Sequence, residues 1–266
     1  TRNHSSAASD VYKRQHHLTL KELGYNSNNG HQEIVERLEN KDIGWAYADQ
    51  SMFNPKLHNL MSLRKQIIKR PVITTVEVLV KPVSSKNDMF FTGFVHKPYP
   101  PIYLELSRNA QFNSATVIRG TEGGIIPSLR QTGKVHFYHS AGEQDDYYDV
   151  TPEDLGIVQS SRAVDIPEEI TRKNTKDKIE SKVDAVDIAK ETIKSGTSAL
   201  SGNDGPMLSC IQLGAAIILQ RATGNDLGNC SKEVLRVLKS GAALKRMKSE
   251  NIPLSKRAKL IMRINK

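Results

Sequence analysis

The side chains best suited to chemistry in this sequence are cations, and they come in groups. Lys56, Arg64, Lys65, Lys69 and Arg70 fall on one helical stretch with no acid between them. Residues 231–266 hold eleven lysines and arginines, among them Lys245 and Arg246, against Glu233 and Glu250. That excess equals the whole net charge of +9. Cations so grouped can neutralise phosphates and release their counterions, which makes binding fall steeply with salt. A charge run is also what a solvated face looks like, and both readings stand at this level. Aromatic residues do not alternate with the basic ones after residue 230, so no stacking platform for single strands is indicated there. Metal and thiol chemistry find little support. Cys210 and Cys230 are the two cysteines and form no CxxC pair. His16–His17 borders the odd opening segment, and His136/His139 on an edge strand has no acidic or cysteine companions, so a structural or solvent role is expected for the second pair and no metal is assigned to either.

The elements that must position these residues alternate in type. Asn54–Pro55 starts a helix running to about Lys69, with proline in its first turn. Met89–Val95 (MFFTGFV) is a continuous apolar run of the kind found in a strand covered on both faces. After the prolines at 98, 100 and 101 comes a helix to Phe112, then a buried strand at Ala115–Ile118 and a later edge strand at Val135–Tyr138. Strand–helix–strand order at these intervals predicts an α/β fold with a central, mostly parallel sheet flanked by helices. Ile43–Ala48 (IGWAYA) reads as a further strand, and Val72–Val80 (VITTVEVLV) is strand-like by propensity. Glu33–Leu38 and the residues before Gly24 read as short helices, with Gly24 as a C-cap. Residues 171–182 are charged and polar. Three helices are expected after them, near 183–196, 206–223 and 231–249, and then a basic tail.

The 266 residues suffice for one large domain with a real core. The longest apolar run, Met207–Leu219, is too short to span a bilayer. The scarcity of cysteine and the lack of a secretory signal predict a reduced, cytoplasmic setting without a membrane. Ser5–Gln15 reads SSAASDVYKRQ, as a transposon-type sequencing adapter does when translated. Residues 1–15 are therefore expected to be a scar. Residues 16–250 form an α/β domain incomplete at its start, and 251–266 a basic tail.

Three segments carry a resemblance. They are Met52–Pro82 (MFNPKLHNLMSLRKQIIKRPVITTVEVLVKP), Ala115–Ser128 (ATVIRGTEGGIIPS) and Asp149–Gly156 (DVTPEDLG). In this order and spacing they resemble the anthranilate phosphoribosyltransferase-like family, glycosyl transferase family 3. Ser240–Leu244 (SGAAL) looks like the family's closing helix, and the similarity covers about residues 18–250. The resemblance implies a small helical domain and a large α/β domain, of which this chain holds most of the second. It also implies that Val72–Val80 folds as a short helix and turn. The family's reaction is pentosyl transfer, in which an aromatic amine displaces pyrophosphate from phosphoribosyl pyrophosphate. A glycine-rich loop cradles the phosphates and carboxylate-held magnesium neutralises the leaving group.

Carried over residue by residue, the resemblance implies that Arg64 pairs the acceptor's carboxylate and that Pro55 opens the same helix. As a residue, Arg64 reads equally as a surface helix arginine. The family's paired acidic metal ligands align with Ile125 and Ile126, which have no donor atom, so magnesium is doubtful here. Glu122, three residues before Ile125, is a poor substitute. The acceptor-side Gly-Pro reads Glu77–Val78. These departures resemble a divergent, nucleic-acid-binding branch of the family. In that reading Arg119, Gly120, Thr121, Glu122, Gly123 and Gly124 form the strand-end turn where open sheets bind ligands. The glycines serve equally as a plain tight turn. Lys65, Arg70, Arg130, Lys134, Lys245 and Arg246 would then contact nucleic acid. The expected partner is a phosphoribosyl pyrophosphate-like anion or a nucleic acid, and the full-length protein would be a homodimer. As this fragment, no catalysis is expected.

Overall fold

In the computed structural model, residues 17–67, 72–121, 124–165, 167, 170 and 185–249 are described. Four strands form one sheet in the order β1 (Met89–Phe94), β2 (Ser114–Arg119), β3 (Gly133–Tyr138) and β4 (Asp146–Val150). β1 and β2 are parallel, with Met89 opposite Ser114 and Phe94 opposite Arg119. β3 is antiparallel to β2, and β4 to β3. The expected α/β class holds, and strands form at Met89, Ala115 and Val135, but Val135–Tyr138 is not the edge: β4 pairs along its outer side. The sheet is mixed, however: one of its three pairings is parallel. The reason lies in the connections. A helix carries the chain back from β1 to start β2 alongside it, whereas the connection from β2 to β3 folds back on itself at the Gly120–Pro127 bridge and a loop joins β3 to β4, and returns of this kind close antiparallel pairs.

Helices cover both faces of the sheet. We number the helices α1 (His31–Glu39), α2 (Gln50–Phe53), α3 (Pro55–Asn59), α4 (Met61–Gln66), α5 (Ile73–Val76), α6 (Tyr99–Asn109), α7 (Ala185–Leu200), α8 (Pro206–Thr223), α9 (Leu227–Lys239) and α10 (Ala242–Ser249). Residues 17–22 form a further helical turn at the start. On one face Phe90, Phe94, Ala115, Val117 and Tyr138 pack with Tyr103 and Leu104 of α6. On the other, Ile118, Val135 and Val150 pack with Leu129 and with Cys210, Leu213 and Ile217 of α8. Burying one such Leu or Ile fully contributes roughly 1.5–3 kcal/mol. Ala199, Leu208 and Leu238 form a third cluster joining α7, α8 and α9. The helix expected over 231–249 is two helices, because the chain turns at Ser240–Gly241.

Two stretches that look like strands are not. Ile43–Ala48 is irregular: Gly44 adopts the left-handed conformation at φ 66°, which ends an extended run, and among the described residues no strand pairs with it. Ile43 is nevertheless fully buried, and Trp45 packs edge-on against Tyr25. Ile73–Val76 is a helical turn continued by a 3-10 turn at Glu77–Leu79, as the resemblance implied and against β-propensity. The turn buries Thr74, Thr75 and Leu79 together, which an extended chain would split between two faces. The helix expected from Asn54 to Lys69 is broken into α3 and α4, with Asn54 capping α3 through the Leu57 amide.

The two ends of the described chain are tied together. The Tyr25 hydroxyl donates to the Met247 carbonyl, 222 residues away. Arg246 donates to the carbonyl of Lys41 at 3.0 Å. Beside the sheet, Lys81 donates to Asp88 at 2.8 Å, caps the carbonyl of Gln111, and sits 4.2 Å over the Phe112 ring. The Lys81 ammonium, aided by the Ser85 amide and hydroxyl, holds the Asp88 carboxyl below the usual carboxylate range.

Leu213→Ala should lower the unfolding free energy by about 2–5 kcal/mol in a denaturant titration, whereas Val158→Ala, 78% exposed, should change it by no more than about 0.5 kcal/mol. Because Asp88 is more acidic folded than unfolded, its pairing stabilises fully above the unfolded Asp value of about 3.9 and is lost as pH falls through the lower folded value. Asp88→Asn should therefore weaken the protein at pH 7 and flatten the acid limb of its stability profile. An unaltered acid limb would show that Asp88 plays no part in it.

Candidate anion-binding site

At the carboxyl end of β2 the chain leaves the sheet through Arg119 and turns back at once. Gly120 bridges Pro127, the Thr121 amide donates to the Ile126 carbonyl at 3.0 Å, and the Gly124 amide to the Thr121 carbonyl at 3.0 Å. Position 120 requires glycine, since a Cβ there would lie 1.5 Å from the Gly124 carbonyl oxygen. The glycine therefore has a steric reason independent of any ligand. Glu122 and Gly123, the tip of the loop, lie outside the described residues.

Next to this turn is a small, solvent-open depression lined by Arg119, Thr121, Ser128, Gln131, Thr132 and Arg162, with Gly120 and Gly133. The segment bearing Arg162 is brought there by the backbone, whose Arg162 carbonyl accepts from the Leu129 amide at 2.9 Å. Arg130 donates to the Ser160 carbonyl at 3.4 Å, from the same loop. Among the described residues, neither guanidinium of Arg119 and Arg162 has a carboxylate partner. The Thr121 hydroxyl is buried without a hydrogen-bond partner. Two unneutralised arginines, an unsatisfied hydroxyl and further neutral donors suit a multivalent oxyanion.

Arg64, on α4, is arranged differently. Its Nη1 lies 2.8 and 2.7 Å from the two carboxylate oxygens of Glu77. The side chains are 15% and 12% exposed, so the pair is mostly withdrawn from water. Pro55 opens α3, before α4. Arg64 is thus no loose surface arginine, and its partner is the residue that stands where the resemblance has glycine.

The remaining predicted residues are scattered. Lys134 donates to Asp149 at 2.9 Å and lies 4.2 Å over the exposed Tyr147 ring. Burial, then the Lys134 charge, pushes the neighbouring His136 below its ordinary value, so it stays neutral at pH 7. Lys245 is exposed on α10, and Arg246 is engaged with the Lys41 carbonyl. The Lys65 side chain, Arg70 and residues 251–266 lie outside what is described. Ile126 packs onto the α8 core, while Ile125 is partly exposed; neither can ligate a cation. Among the described residues no three His, Cys, Asp or Glu side chains come together as a metal site, and no helix is long and apolar enough to cross a membrane.

Sequence reasoning missed Arg162, Ser128, Gln131 and Thr132. Arg162 lies far from the RGTEGG turn in sequence, and hydrogen bonds such as Leu129–Arg162 and Arg130–Ser160 bring its segment near. Glu77 was legible as a departure from the family, but not as the partner of Arg64.

No protein-family model matches the chain. An uncharacterized protein of Aquifex aeolicus is 35% identical over 95 residues, covering 36% of this chain and 30% of that protein. Anthranilate phosphoribosyltransferase of the same organism is 22% identical over 205 residues, 77% of this chain and 54% of the enzyme. The chain thus spans about half, or less, of the curated relatives it matches. Among solved structures it is similar to anthranilate phosphoribosyltransferase from Saccharomyces cerevisiae. In complex with 4-fluoroanthranilate, that enzyme superposes with a TM-score of 0.65 at 16% identity, over 93% of this chain and 68% of the enzyme. With PRPP and Mg bound the values are 0.63 and 16%, over 92% and 67%. The four-stranded sheet and its helical cover thus share the fold of these anthranilate phosphoribosyltransferases.

Proposed function

We propose that the cleft at the end of β2 binds the phosphate groups of a phosphoribosyl pyrophosphate-like donor, in a protein of the pentosyl-transfer class. The observation that carries this reading is the pair Arg119 and Arg162, which line one cleft with no carboxylate among the described residues to neutralise them. Each hydrogen bond from a charged donor contributes about 1.5–3 kcal/mol. A ligand with several phosphate oxygens could use both guanidinium groups and the Thr121, Ser128 and Thr132 hydroxyls. The structural neighbour solved with PRPP and Mg supports a ligand of this class. Magnesium does not fit the described residues, because Ile125 and Ile126 offer no donor atom, so no step is assigned to it. In this reading the chain binds and orients an anion, and among the described residues the cleft is lined by no carboxylate or histidine.

A second reading is favoured by one observation. Arg119 and Lys134 each lie one residue beyond the Ile118–Val135 pair, and Lys134 covers the Tyr147 ring, which is 57% exposed. A cation row beside an open ring suits the phosphates and bases of a single-stranded nucleic acid. A homodimer would extend such a row.

Calorimetric titration with phosphoribosyl pyrophosphate, and with a single-stranded oligonucleotide, separates the two. Arg119→Gln and Arg162→Gln should each weaken phosphoribosyl pyrophosphate binding roughly tenfold or more. Equal affinity in wild type and variants sinks the cleft reading. Micromolar oligonucleotide binding that falls steeply with salt, with no binding of the donor, would move the assignment to nucleic acid.

A further inference from the structure

We infer that the cleft at the end of β2 binds a diphosphate group without a divalent metal. The guanidinium groups of Arg119 and Arg162 meet the charge that the resemblance assigns to magnesium, so that magnesium competes for the ligand instead of completing the site. This rests on the reading of the cleft as the phosphate site and adds how the phosphate charge is met there.

The positions at which the resemblance has paired acids are committed elsewhere. Ile126 packs with Cys210, Leu213 and Ile217 of α8. It sits so close to that helix that a Cβ added at Gly214 would stand 3.3 Å from its Cγ1. Neither Ile125 nor Ile126 lines the cleft. Magnesium is held by carboxylates and other oxygen ligands, and the lining residues include no carboxylate. The cleft is furnished with donors instead. Arg119 and Arg162 have no carboxylate partner among the described residues. The buried Thr121 hydroxyl has no hydrogen-bond partner. The Ser128 hydroxyl oxygen accepts from the Arg130 amide at 3.3 Å, which leaves its own proton to donate. A guanidinium stays charged at any working pH and presents a planar fork to two phosphate oxygens at once. Two such cations repel a third brought into the same space. Magnesium held by a diphosphate lowers the charge of the ligand and covers oxygens that the forks would grip. Metal and protein therefore contend for the same ligand atoms.

Calorimetric titration of the full chain with inorganic pyrophosphate tests this, once with a chelator and once with millimolar magnesium chloride at matched ionic strength. The wild type is compared with the double variant Arg119→Gln/Arg162→Gln, whose thermal melt establishes that it is folded. The wild type should bind pyrophosphate in the chelator, and the double variant should bind it roughly a hundredfold more weakly or worse. Magnesium should loosen the wild-type complex. Binding that requires magnesium, or is tightened by it, overturns the inference and leaves the phosphate reading of the cleft standing. A folded double variant that binds metal-free pyrophosphate as the wild type does overturns both. Absence of binding under either condition removes the phosphate reading itself, and this inference with it.

Discussion

The burial of β2 is the constraint on which the rest depends. It is hydrogen-bonded along both edges, to β1 on one side and β3 on the other. It is also covered on both faces, and Val117 and Ile118 retain no exposed surface. A strand so enclosed cannot slip in register, because a shift of one residue would exchange the side chains packed on α6 with those packed on α8. The consequence reaches the candidate site directly. Arg119 is the next residue after Ile118, so the position at which the chain leaves the sheet is set by the same packing that buries the core. The turn at Gly120 adds a steric condition of its own, and the Leu129–Arg162 hydrogen bond brings the second guanidinium to the cleft.

The protein treats its arginines in opposite ways. At the end of β2, Arg119 and Arg162 have no carboxylate partner among the described residues. On α4, Arg64 is matched by Glu77. Elsewhere cations are spent on architecture: Lys81 joins the starts of β1 and β2, Arg108 donates to Ala141 and Glu143 carbonyls across the sheet end, and Arg246 holds the loop at Lys41. A net charge of +9 therefore overstates what the surface offers an anion. The charge that matters for recognition is the part that packing and ion pairing leave unspent.

Much of the fold was legible in the sequence where burial on two faces leaves a continuous apolar run, as at Met89–Val95 and Ala115–Ile118. Helices with a proline or glycine at their ends were legible for the same local reasons. β4 was missed, because Asp146–Val150 is a solvent-facing edge strand of mostly polar residues and has no such run. Ile43–Ala48 misled because its apolar residues are buried by an irregular segment. Val72–Val80 misled propensity because β-branched residues pack as well in a buried helical turn as in a strand. The direction of the β2–β3 pairing was illegible in composition, since both partners look alike whether parallel or antiparallel. In the site, Arg119 and Gly120 could be found by their place after an apolar strand. Arg162 could not, because its approach depends on a backbone hydrogen bond between distant segments.

The contacts that join Tyr25 to Met247 and Lys41 to Arg246 span 222 and 205 residues of chain. Closing a loop of that length carries an entropic cost that grows only slowly with length, so the tie is affordable at equilibrium. Its effect falls on kinetics instead. Contacts this distant in sequence form late, after the sheet and its α6 and α8 cover have shortened the effective loop. The opening helices and α10 would then dock onto a sheet already assembled, and they form the part of the molecule first to open when stability is lowered locally.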